Sequence, residues 1–196
     1  MLPVIDVRGD VVGFGSRVLD KSEPKYMNTP ETLTYSKRRI LYGMNLAKKS
    51  KRSNIILCEG NLDVVTLHQA GFDNAVASMG TALTQEQLRL LSRYTKELVL
   101  CYDNDNAGQQ ATRRALELLN NSEFSVKVLQ LPRRLVDGEY IKQDADDFIK
   151  FQGPAAFERL LTGSENGVEF RLDQIAGKYD LTDDTQRIAY AQEVSE

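Results

Sequence analysis

The sequence predicts an α/β protein with a mainly parallel central sheet flanked by helices. Three observations carry that expectation. Ile55–Cys58 and Leu98–Tyr102 are short, unbroken apolar runs, as strands buried on both faces of a parallel sheet should be. Each run ends in acidic residues, and a helical spacing of apolar residues follows. Strand and helix patterns then alternate from residue 54 to residue 131, an order that implies right-handed crossovers and parallel strands.

The chain has 196 residues, enough for one good domain or one and a half small ones. A hydrophobic content of 41% and a charged content of 27% are ordinary for a globular protein. No apolar run approaches the roughly 20 residues that a membrane helix needs. The start, Met-Leu-Pro-Val-Ile-Asp, lacks the basic stretch and apolar core of a secretory signal, and a cytoplasmic location is expected. Cys58 and Cys101 each close an apolar run and read as reduced packing residues. The net charge of −3 conceals a division. Residues 1–52 carry 11 Lys+Arg against 5 Asp+Glu, and the remainder carries 14 against 23. A basic track beside an acidic, cation-binding site would have this split.

Residues 3–7 and 11–19 flank Arg8-Gly9-Asp10, a turn signal, and predict an antiparallel hairpin; a chain that opens on a hairpin reads as a piece of something longer. Pro24 and Pro30 bracket an extended segment that exposes Lys25, Tyr26 and Asn28. Leu33, Ile40, Leu41, Met44 and Leu46 predict a helix over 34–47. The dipole accounts for Lys48, Lys49, Lys51 and Arg52 at its end. It does not account for Lys37, Arg38 and Arg39 in its first half, which point to an anionic partner.

After the strand at Ile55–Cys58, Asp63, Val64, Val65, Leu67 and Ala70 give a helix with Asp63 in its first turn and Gly71 as its stop. Residues 74–78 form a second strand and residues 80–84 a tight loop. Thr84 and Gln87 have the spacing of a capping box for a helix reaching about Tyr94. A third strand covers 97–102, and a helix covers 109–119 with Ala111, Ala115, Leu116 and Leu119 on one face. The run 125–131 alternates, as a strand nearer an edge would. Residues 132–143 read as a loop before an amphipathic helix about Phe148, with helical segments at 154–161, 165–176 and 182–195.

Three acidic groups then share one position: Glu59, Asp103 with Asp105, and Asp144 with Asp146. The first two directly follow buried strands, at the edge where open α/β sheets keep their sites. Gly60 lets the backbone turn and lets a ligand approach. Five carboxylates at one rim repel one another, and divalent cations relieve the repulsion; hard oxygen ligands favour Mg²⁺ or Mn²⁺. Two ions about 3.5–4 Å apart suit phosphoryl transfer. His68 has no partner in the pattern and reads as a packing or surface residue, and no P-loop is present.

These residues resemble the toprim domain, which primases, topoisomerases and some nucleases share: Glu59-Gly60 after a strand, with Asp103-x-Asp105 later. Further stretches resemble DnaG-type bacterial primase in particular. They are Gly13-Phe-Gly-Ser-Arg17, Pro24–Glu31, Lys37 with Leu41-Tyr-Gly43, Ala77–Thr84, Tyr102–Gly108 and Asp144-Ala-Asp146. The resemblance runs from about residue 3 to 161 and implies part of an RNA-polymerase core. Residues 1–52 would be the end of its basic amino-terminal subdomain, 53–150 the toprim subdomain, and 151–196 the start of a helical subdomain.

The resemblance implies DNA-directed synthesis of RNA primers from ribonucleoside triphosphates on single-stranded DNA. By it, Glu59 is the catalytic acid and Asp103 and Asp105 act with it. Glu59, Asp103, Asp105, Asp144 and Asp146 hold two or three Mg²⁺ or Mn²⁺ ions, and Asp63 is an accessory acid. Arg17, Lys25, Asn28 and Lys37 face nucleotide or template phosphates. Zinc, the replicative DnaB-type helicase and single-strand-binding protein belong to parts of the family outside this sequence. Asn104 and Ala145 stand where the family usually has glycine and proline; Asn104 is expected to need a left-handed backbone, which asparagine tolerates. Other readings are a toprim nuclease or topoisomerase, which does not explain Pro24–Glu31, and a non-catalytic toprim binding module.

Overall fold

The computed structural model describes residues 1–18, 26–79, 82–136 and 138–195. Strands β1 (Leu2–Ile5) and β2 (Val11–Arg17) form the expected antiparallel hairpin. Asp6 fixes its turn, because one carboxylate oxygen accepts the backbone N–H groups of Arg8, Gly9 and Asp10 at 2.8–3.0 Å. Strand β3 (Tyr26–Asn28) pairs with β2, so the segment before Pro30 is an edge strand of a three-stranded sheet. Lys25 lies outside the described residues.

The helix expected over 34–47 is a correction. Only α1 (Met44–Ala47) is α-helical, and 35–43 is a series of turns. The carbonyls that a helix would use internally are taken from outside. The Gln87 amide donates to the Lys37 and Ile40 carbonyls at 3.0 Å each, and the Thr84 hydroxyl donates to the Arg38 carbonyl at 2.6 Å. Tyr42 exchanges both backbone hydrogen bonds with Ala77. Gly43 follows at φ 82°, where a Cβ would also sit 2.7 Å from the Val64 side chain. Of the five residues in the apolar spacing, Ile40, Leu41 and Met44 are buried but Leu33 and Leu46 are exposed, so the spacing fixes neither the backbone nor the whole buried set.

The central sheet follows the predicted alternation: β4 (Asn54–Cys58), α2 (Asn61–Gln69), β5 (Ala75–Ala77), α3 (Gln85–Leu91), β6 (Glu97–Cys101), α4 (Asn106–Leu119) and β7 (Ser125–Val128). These four strands are parallel in the order β7-β6-β4-β5. Where a loop is expected at 132–143, a small hairpin stands instead, β8 (Arg134–Val136) and β9 (Glu139–Ile141). Its signal is in the sequence: Asp-Gly between alternating residues, with Gly138 at φ 85°. Helices α5 (Ala145–Gln152) and α6 (Pro154–Thr162) follow. The two-residue β10 (Glu165–Asn166) pairs antiparallel with β7, so β7 is one strand in from the edge. Helices α7 (Gly167–Ala176) and α8 (Asp184–Ser195) end the chain.

Both faces of the sheet are covered, which is why β4 and β6 are apolar without alternation. Ile55, Leu57, Leu98 and Leu100 pack with Met44, Leu88, Leu91, Leu116 and Leu119 on one side. Ile56, Cys58, Val99 and Cys101 pack with Val64, Leu67, Phe148, Phe157 and Leu161 on the other. Burial of each large aliphatic here contributes on the order of 1.5–3 kcal/mol. Cys58 and Cys101 are buried neighbours in the sheet register and are free thiols. Among the described residues no helix is long and apolar enough to cross a membrane. The result for function is that β4 and β6, side by side and parallel, deliver Glu59 and Asp103 to the same edge.

Candidate active site

Glu59 and Gly60 follow β4 directly, and Gly60 caps α2. A Cβ at Gly60 would stand 2.8 Å from a carboxylate oxygen of Asp63. That closeness serves a bond: the Gly60 N–H donates to Asp63 Oδ2 at 3.2 Å. The other oxygen of Asp63 accepts the Asp146 N–H, also at 3.2 Å. Asp63 is therefore a strut between the β4–α2 turn and the first turn of α5. It is only 8% exposed, and burial, followed by the nearby charge of Asp144, pushes its pKa up to about 7.

Glu59 Oε1 accepts the Asp103 N–H at 3.3 Å. The pKa of Glu59 is raised by burial and then by Asp103; that of Asp103 is raised by burial and then by Asp144. Helix α4 folds back tightly behind Asp103, since a Cβ at Gly108 would lie 2.0 Å from the Asp103 carbonyl oxygen. Asp105 is the N-cap of α4: one oxygen accepts the Gly108 N–H at 2.9 Å and the other takes Lys142 Nζ at 2.6 Å. Lys142 holds the Asp105 carboxyl below its ordinary range.

Asn104 does not adopt a left-handed backbone, contrary to the sequence expectation; among the described non-glycine residues only Met79 has positive φ. Its amide instead donates to the Leu131 carbonyl at 2.9 Å, a bond a glycine could not make. Ala145 opens α5 buried, at the position where proline is tolerated in helices, so its exchange leaves the helix start intact. Asp144 caps α5, accepting the Asp147 N–H at 2.7 Å. Asp146 accepts the Thr66 hydroxyl and pairs with Lys150.

One cavity of about 300 Å³ collects Glu59, Asp63, Asp103 and Asp144 with Arg17 and Asn28 of the hairpin sheet. Gly15 lets that sheet close over the acids: a Cβ there would meet Asn28 at 2.9 Å and Asn61 at 3.1 Å. Asp105 and Asp146 stand outside the cavity lining, each engaged by a lysine, and Lys37 is not among the lining residues either. Three residues are additions to the sequence reading. Asp147 joins Asp144 and Asp146, their carboxylate oxygens all within 4.8 Å of one another. Its signal is its position three residues after a capping aspartate. Asn61 lines the cavity, and its buried Oδ1 has no hydrogen-bond partner among the described residues. Met79 lines it in a strained backbone conformation, of the kind that gathers at functional sites.

The donor set fits Mg²⁺ or Mn²⁺. It consists of hard oxygens, and the carboxyls of Glu59 and Asp103 are pushed up by burial and by neighbouring acids, a strain that a cation would relieve. The soft or borderline donors are turned to packing: Cys58 and Cys101 are in the core, and His68 Nε2 lies 2.8 Å from the Ala75 carbonyl.

Two family models match the chain. One, described as the N-terminal domain of the DNA primase catalytic core, covers residues 1–48, and the other, described as Toprim-like, covers 56–149. The DNA primase of Clostridium acetobutylicum is 41% identical over 197 residues, 100% of this chain and 32% of the relative. That of Enterococcus faecalis is 36% identical over 99% of this chain and 31% of the relative. The chain thus spans about a third of the length of these curated relatives. A solved structure of the DnaG primase catalytic domain bound to ssDNA is 35% identical, with a TM-score of 0.81, over 97% of this chain and 60% of that one. The RNA polymerase domain of Mycobacterium tuberculosis primase DnaG is 30% identical, with a TM-score of 0.76, over 98% of this chain and 68% of that one.

Proposed function

This chain belongs to the DnaG-type bacterial DNA primase family, and on that premise we propose that it forms part of an enzyme core that makes RNA primers on single-stranded DNA. The reaction is nucleotidyl transfer. A ribose hydroxyl attacks the α-phosphorus of an incoming ribonucleoside triphosphate, the new phosphodiester bond forms, and pyrophosphate leaves as the bond to the β-phosphate breaks. The observation that carries the reading is the convergence of Glu59, Asp63, Asp103 and Asp144 on one cavity beneath a hairpin sheet that presents Arg17 and Asn28.

Glu59, Asp103 and Asp144 would hold a divalent ion in the cavity, with Asp105, Asp146 and the neighbouring Asp147 available to others. When bound, such ions lower the pKa of an attacking hydroxyl and neutralise the departing phosphates. Glu59 and Asp103 are the acids nearest the chemistry in this reading, because Glu59 directly follows buried strand β4 and Asp103 stands two residues past the end of its neighbour β6. Asp63 acts differently: with both oxygens on backbone N–H groups, it holds the α5 acids against the β4 edge. Arg17, with Lys25 and Lys37 on the same basic half, would contact phosphates without reading sequence. Helicase and single-strand-binding protein, as partners of the longer protein in the cytoplasm, would engage other segments. Template-dependent primer synthesis by the full-length protein carrying Glu59→Gln or Asp103→Asn tests the proposal. A loss of at least about 100-fold is expected, and near wild-type synthesis would refute it.

A further inference from the structure

The carboxylate cluster leaves one buried polar atom of the cavity unengaged. Asn61 is the first residue of α2, and it lines the cavity beside Glu59, Gly60 and Asp63. Its Oδ1 is buried and has no hydrogen-bond partner among the described residues. A buried acceptor left unpaired carries the full cost of its lost hydration, so it calls for a donor. Its Nδ2 lies toward the other wall. The place that a Cβ would take on Gly15 of β2 is 3.1 Å from Asn61 Nδ2 and 2.9 Å from Asn28 Oδ1. The two amides therefore flank one small gap, kept open by a glycine, between α2 and the hairpin sheet.

The chemistry of the substrate narrows the donor. Phosphate oxygens accept hydrogen bonds, so a triphosphate cannot satisfy Oδ1. An amino group on a base could, but a templated polymerase must take every base in turn, and one fixed acceptor cannot suit edges whose donors and acceptors differ. The donor common to all ribonucleoside triphosphates is a ribose hydroxyl. The sugar is also the part of the substrate bonded next to the α-phosphate, and Asn61 stands two residues from Glu59, at the rim where that phosphate would be held. The 3′-hydroxyl has to stay free as the next nucleophile. The 2′-hydroxyl takes no part in the chain, and it is the group that a deoxyribonucleotide lacks. Leu62 and Met79 add apolar surface to the same cavity, which suits the carbon face of a sugar and not phosphates alone.

We propose that Asn61 Oδ1 accepts the 2′-hydroxyl of the incoming nucleotide and so selects ribonucleoside over deoxyribonucleoside triphosphates. The inference rests on the reading above. Its test is template-dependent extension by the full-length protein, as parent, Asn61→Leu and Asn61→Asp, with each nucleotide supplied in ribo, 2′-deoxy and 3′-deoxy form. A site built around a substrate hydroxyl rejects the analogue that lacks it, because the buried partner is then left unpaired. The parent should favour the ribonucleotide over the 2′-deoxynucleotide by at least about 10-fold in kcat/KM, and Asn61→Leu, similar in size but without an acceptor, should lose about 10-fold of that preference. Asn61→Asp returns an acceptor to the same place and should recover it. Poor folding of a variant lowers both rates alike and cannot by itself change the ratio. An unchanged ratio in Asn61→Leu, or a parent without the preference, overturns the inference, while primer synthesis by the parent and its loss in Glu59→Gln leave the proposed function standing. A change confined to the 3′-deoxynucleotide also overturns it. Mn²⁺ titration of this chain should find Asn61→Leu equal to the parent; weaker binding would make Oδ1 a cation ligand and overturn the inference.

Discussion

The Asp63 strut makes a pH prediction with a sign that inverts. Its carboxyl has an ordinary value of 3.8 and is raised to about 7 in the folded chain. An acid whose folded pKa is raised binds its proton more tightly when folded, so its contribution to stability is complete below about pH 4. That contribution is then lost progressively as the pH rises to about 7. At about 1.36 kcal/mol per pH unit, the loss is about 4 kcal/mol across that window. Asp63→Asn cannot ionise and should escape the loss. It also forfeits one acceptor, because the Gly60 and Asp146 N–H groups need both oxygens and an amide nitrogen can satisfy neither. That deletion costs about 1–3 kcal/mol. In EDTA, urea unfolding should therefore find Asp63→Asn less stable than the parent by about 1–3 kcal/mol near pH 4. Near pH 8 it should be more stable by a similar amount, with the profiles crossing between. Parallel profiles over that range would refute the account of Asp63 as a buried, charge-starved strut.

Lys142 occupies Asp105 at 2.6 Å, so a divalent ion must compete with it there; Lys142→Met should tighten Mn²⁺ binding several-fold by titration calorimetry, and weaker binding would count against the competition. Gly108→Ala forces a methyl to within 2.0 Å of the Asp103 carbonyl oxygen, so thermal unfolding should show a loss beyond the usual 1–3 kcal/mol of overpacking, or a displaced Asp103 with weakened Mn²⁺ binding. Gln87→Leu strips two carbonyls of the 35–43 turns of their donor and breaks the α3 capping box, which should cost about 2–4 kcal/mol in urea unfolding.

What can be read from the sequence, and what cannot, divides along the range of the forces involved. Strands β4 and β6 are legible because burial on both faces leaves an unbroken apolar run, and their parallel pairing puts Glu59 and Asp103 at one edge. The capping box of α3 is legible because it is a contact between residues three apart. The 34–47 segment misleads because its apolar spacing mixes buried Ile40, Leu41 and Met44 with exposed Leu33 and Leu46, and because the donors that replace its internal bonds lie 46 to 50 residues later, on Gln87 and Thr84. The acids are evident, but spacing does not separate their roles. Asp-x-Asp suggests two equal ligands, yet in both pairs the capping rule acts on one member: Asp105 closes the first turn of α4 and Asp144 that of α5. In the first pair the capping residue is the one turned to a lysine, and in the second it is the one that faces the cavity. Capping therefore does not track the cavity; the first aspartate of each pair does, since Asp103 and Asp144 line it while Asp105 and Asp146 each pair with a lysine. Position within the motif, and not the capping role, separates the carboxylates that face the cavity from those that do not.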